Sequence, residues 1–123
     1  MASKGALMSA LFTQLTSLIN ELTEMYPNDT DFPLALTTIQ LLKTTNPSMV
    51  VKFMDENLSK FEDKINAKDQ SFFLDYSYAE WEGYVDVNIF SKLKEYHSTM
   101  AEQSKEAMWL YVTNIMRLAK ACR

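Results

Sequence analysis

The chain has 123 residues, 47% of them apolar and 23% charged, with a net charge of −4 at neutral pH. That length suits one domain, residues 1–123, with a core that needs neither disulfide nor metal, and the negative balance disfavours non-specific nucleic-acid binding. Two glycines, three prolines and one cysteine disfavour an all-β fold of tight hairpins and exclude an intrachain disulfide.

The first stretch, MASKGALMSALFTQLTSL, reads as a helix and not as a secretion signal, because Ser9, Thr13, Gln14 and Thr16 break its apolar run. Ala2 removes the myristoylation pattern, and no run approaches 18 uncharged apolar residues, so no membrane span is expected. Leu7, Met8, Leu11, Phe12, Leu15, Leu18, Ile19, Leu22, Met25 and Tyr26 recur at steps of three and four, giving one apolar stripe. YPND should end it, since a residue before proline avoids the helical region.

A second helix is expected to start near Pro33, with Leu34, Leu36, Ile39, Leu41 and Leu42 as its buried face. Asn46–Pro47 is a start signal for a third, with Asn46 as its cap. Met49, Val50, Phe53 and Met54 form its stripe, and Leu58, Phe61 and Ile65 continue it. One helix, or two with a break near Asn57–Ser59, fits this pattern equally.

Residues 67–85 lose the helical period, apart from a short helix around Tyr78–Trp81. Here Phe72, Phe73, Tyr76, Tyr78, Trp81 and Tyr84 stand among Asp69, Asp75, Glu80, Glu82 and Asp86. A loop this long in a small domain is unusual. Its rings either latch a crossover onto the core or form a protein-binding surface. Asp86 is then the expected cap of a helix that turns Ile89, Phe90, Leu93 and Tyr96 inward. HSTMAEQ interrupts it, with Thr99 and Glu102 at capping-box spacing. The last helix spans roughly 101–121, with Met108, Trp109, Val112, Ile115, Met116 and Ala119 as its stripe. The expectation is all-α: a compact bundle of five to six helices and one long aromatic-acidic loop.

Catalytic chemistry is poorly supplied. His97 is the one histidine and reads as a surface or half-buried residue, with no nucleophile in its context. Cys122 reads as an incidental terminal thiol, consistent with a reducing compartment. One histidine and one cysteine, 25 residues apart, do not make a metal site. The acids of the loop follow no known ligand spacing. Gly5 and Gly83 cannot build a phosphate loop. The loop's rings could stack on bases, but its acids repel a phosphate backbone. No catalysis, no metal and no cofactor are therefore expected.

Binding remains. Leu36, Tyr84, Leu110 and Tyr111 lie off the best stripes, where surplus apolar residues can mark a partner surface. Charge is uneven: residues 55–86 hold nine acids and three lysines, whereas Lys105, Arg117, Lys120 and Arg123 face Glu106 alone over residues 104–123. Arg117, Lys120 and Arg123 form a basic end that could meet phosphate or an acidic surface, or complement the helix macrodipole.

MYPNDTDF, LLKTTNPSMVVKF, KDQSFFLDYSY and SKEAMWLYVTNIMRLA occur in that order. With them the chain resembles, over residues 11–119, a group of small uncharacterised proteins encoded by large DNA viruses of eukaryotes. The resemblance implies a viral source and an intracellular setting, in host cytoplasm or virion, without secretion. It supplies no site residues. The expected function is a non-catalytic helical interaction module, a virion component or assembly adaptor with a protein partner, viral or self. The alternative is a nucleic-acid-associated or transcription-linked factor acting through the basic end.

Overall fold

The computed structural model describes residues 3–69, 71–74 and 89–123. Among them every regular element is helical: α1 (Lys4–Met25), α2 (Asp31–Thr45), α3 (Pro47–Ser59), α4 (Glu62–Asn66), α5 (Ser71–Leu74), α6 (Ile89–His97) and α7 (Glu102–Ala121). Five are helices of nine residues or more, and α4 and α5 are short segments of five and four residues.

Local chemistry sets the boundaries. The Ser3 hydroxyl accepts from the Ala6 N–H at 3.1 Å and caps α1. Pro27 ends it, while the Tyr26 N–H still reaches the Leu22 carbonyl. α2 starts two residues before Pro33, because the Asp29 carboxylate accepts the Asp31 N–H at 3.0 Å and begins the turn. Pro33 then falls in the first turn, where no N–H is required. Asn46 does not cap α3. Its side chain makes no capping bond, and its N–H instead closes α2 at the Leu42 carbonyl, 2.8 Å away. The third apolar run divides at Lys60–Phe61 into α3 and α4. Lys68, with φ of 54°, turns the chain after α4 in the left-handed region. Thr99 likewise does not cap α7: its hydroxyl donates to the Tyr96 carbonyl, and Ala101 holds the cap position.

α1 is the central helix, packed on α2 along one side and on α7 along the other, with α3 also against α7. Its buried residues, Leu11, Phe12, Leu15, Leu18, Ile19 and Leu22, follow the expected stripe, as do all six of α7. Two aromatic groups close the ends of this core. Tyr26 stacks on Tyr96 at 3.9 Å beside Phe32. Phe72, fully buried on α5, lies 5.7 Å from Phe61 and 6.2 Å from Trp109.

Two burial expectations change. α2 buries Phe32, Ala35 and Ile39, with Leu36 and Leu42 half-buried, while Leu34 and Leu41 are 56% and 60% exposed. His97 is not a surface residue. It is 1% exposed and edge-on to Trp109 at 6.3 Å.

Candidate interaction surface on α2

With about 100° per residue, Leu34 and Leu41 lie about 20° apart and about 10 Å along one face of α2. Phe32, Ala35 and Ile39 point to the other side, where α1 and α3 pack. Between Asp31 and Lys43 the helix carries no charge. A solvent face of this length ordinarily interleaves lysine and glutamate. Here it holds two leucines and a row of threonines.

The threonines are arranged in a way that matters for binding. Thr37 donates to the Pro33 carbonyl at 3.1 Å and Thr38 to the Leu34 carbonyl at 3.1 Å. Thr44 and Thr45 both donate to the Leu41 carbonyl at 2.9 Å. Each hydroxyl proton is thus satisfied inside the helix. These four hydroxyls can lose their water without stranding a proton.

A concavity lies between α4 and α7. Ile65 and Trp109 form its apolar floor, and the groove encloses about 460 Å³. Leu110, 63% exposed, stands at its rim with Arg117 and with Lys68, which pairs with Glu106 at 2.6 Å. Of the other residues expected off the stripes, Leu36 is half-buried on α2 and Tyr111 half-buried beside Glu21.

The basic end is divided. Lys120 pairs with Glu62 of α4, and Arg123 pairs with Asp55 of α3 at 2.9 Å. Burial of Asp55 opposes its ionisation, but bonds from Arg123 and Ser59 outweigh it and hold the carboxyl below its usual range. Arg117 is exposed and makes no ion pair among the described residues. Cys122 is buried above a small cleft of about 280 Å³, and burial pushes its thiol up, away from reactivity.

A polar clasp joins α6 to the α1–α2 turn. Lys92 reaches Asp31 at 2.9 Å and Asp29 at 3.2 Å, and the Tyr96 hydroxyl donates to Asp29. Bonding to Asp31 and Asp29 pushes the Lys92 ammonium up. Bonding to the Asp29 carboxylate lifts the Tyr96 phenol to about 12, and the same bond lowers Asp29.

Of the aromatic loop, Phe72 is placed in the core. The Phe73 side chain, Tyr76, Tyr78, Trp81, Tyr84 and Asp86 lie outside the described residues. Among the described residues no group of three His, Cys, Asp or Glu side chains is placed to hold a metal ion, and no helix is long and apolar enough to cross a membrane.

The α2 face is hidden in the sequence because its large apolar residues look like a single buried stripe. The seven-residue step from Leu34 to Leu41 was the available signal, once Phe32 and Ala35 are set on the opposite side. Comparison with family models, with curated proteins and with solved structures finds no match for this chain.

Proposed function

We propose that this protein is a non-catalytic helical interaction module, a virion component or assembly adaptor, that binds a protein partner through the outer face of α2. The supporting observation is the uncharged Leu34–Leu41 face, whose threonine donors are already satisfied. The viral setting rests on the sequence resemblance. Nucleic-acid binding through the basic end has less support, because Lys120 and Arg123 already face carboxylates and only Arg117 of the three is unengaged among the described residues. Phosphate recognition draws its strength from several such cations acting together.

The test is co-purification of tagged protein from infected cells, wild type against Leu34→Glu/Leu41→Glu. Both side chains are exposed, so the variant should keep the wild-type circular dichroism and melting point. The expected result is a partner band, and stoichiometric recovery in purified particles, for wild type only. Identical partners for both proteins would remove the α2 face as the binding surface. Recovery from cell extract but never from particles would remove the virion role.

A further inference from the structure

We infer that the groove between α4 and α7 docks an acidic amphipathic helix of a partner protein. An apolar side chain of that helix seats against Leu110, and a carboxylate seven residues along it meets Arg117. This surface is separate from the outer face of α2, and the inference stands or falls without that face.

The first observation is the wall that α7 presents. Glu106, Leu110 and Arg117 fall within about 40° of one another on one side of the helix. Leu110 is 63% exposed there, above the floor of Ile65 and Trp109. Leu110 and Arg117 stand about 10 Å apart along the axis. Both walls are helical, so the groove offers no unpaired strand edge to an extended peptide. A helix satisfies its own backbone and presents side chains at the same seven-residue step.

The second is charge. The charged groups of the groove are Lys68, Glu106 and Arg117. Lys68 pairs with Glu106 at 2.6 Å, and Arg117 makes no ion pair among the described residues. One positive charge is thus left unanswered, in a chain whose net charge is −4. A basic partner meets it unfavourably. A carboxylate matches the two-pronged guanidinium.

The third is Lys68 itself. Its φ of 54° lies in the left-handed region, at a corner where glycine is the ordinary residue. The position costs the backbone, yet its side chain reaches the end of the groove. There it masks Glu106, the one carboxylate of the groove that would repel an acidic helix. Glycine would ease the corner and leave Glu106 bare.

The test uses a displayed library of helical peptides about 15 residues long. The host is alanine and glutamine, random at two positions seven residues apart, and it is panned on the full chain. Enriched peptides should pair Leu, Ile, Met or Phe at one position with Asp or Glu at the other. The most enriched peptide is then titrated into isotope-labelled chain. The amides of Leu110 and Arg117 should shift, and those of Leu34 and Leu41 should not. Arg117→Gln should keep the wild-type melting point and weaken binding about three- to five-fold, as expected for one exposed charge pair. Replacing the peptide's acid by glutamine should cost the same against wild type and nothing further against Arg117→Gln. Lys68→Gly should also keep the melting point and weaken binding, and adding Glu106→Gln should restore it. No enrichment, enriched pairs without an acid, shifts that map to α2, or full binding by Arg117→Gln overturns the docking site. Full binding by Lys68→Gly overturns the masking of Glu106.

Discussion

Phe72 and His97 both pack near Trp109, at 6.2 and 6.3 Å, and each carries a distinct stability consequence. Phe72 is fully buried between Phe61 and Trp109. Phe72→Ala removes most of a ring and leaves a cavity, at a cost of about 3–5 kcal/mol by urea unfolding. A loss below about 1 kcal/mol would mean that this part of the 67–85 stretch is not latched by its ring. His97 acts through protonation. Burial, then the nearby Lys105, holds its imidazole below the ordinary value, with Glu102 opposing weakly. The unfolded chain takes up that proton near pH 6.5. Protons therefore favour the unfolded state once pH falls through about 6.5, until the folded imidazole also titrates. Above pH 7 the group is neutral in both states and adds no pH dependence. The thermal midpoint should fall between pH 7 and 5, and His97→Gln should flatten that slope. An imidazole that titrates at or above 6.5 by NMR would rule this out.

At the scale of elements, α6 is held by Leu93 in the core and by its clasp to the α1–α2 turn. Lys92→Ala removes the ammonium shared by Asp29 and Asp31 and leaves two carboxylates close together. Amide hydrogen exchange in residues 92–97 should quicken in this variant while α1 and α7 keep their protection. Unchanged exchange in α6 would show that Leu93 alone holds the helix. α1 and α7 were legible because each repeats large apolar residues at helical spacing with polar residues between them. α2 was legible as a helix with Ile39 inward, but its full buried face was not, because one core position is a small Ala35 and Leu34 and Leu41 point outward. α3 starts at Pro47, as its sequence signal predicts, but the Asn46 side chain makes no cap and its backbone N–H serves α2. The clasp had no signature at all. Asp29 and Lys92 are far apart in the chain, and only the fold brings them together.

For the whole molecule, the uneven charge of the sequence resolves into sutures. Arg123–Asp55, Lys120–Glu62 and Lys68–Glu106 tie α7 and the chain end to α3, α4 and the corner after α4. Solvent-screened surface pairs of this kind add little to stability, so the bundle rests on the α1–α2 and α1–α7 seams. The all-helical class was legible from periodicity and from the scarcity of glycine. The binding face was not, because an outward leucine and an inward leucine look alike until the neighbouring helices are placed. Leu110 and Arg117 at the α4–α7 groove show the same limit: their spacing was visible, their shared rim was not.

Cys122 turns the end of α7 into its own clock. Its thiol is buried and pushed away from the thiolate form that reacts. Cys122 is 4% exposed at its cleft, so a disulfide reagent should label it slowly while the last turn stays packed and faster each time that turn lifts. The rate of labelling then counts those openings in the unaltered chain, with no probe attached and no residue replaced.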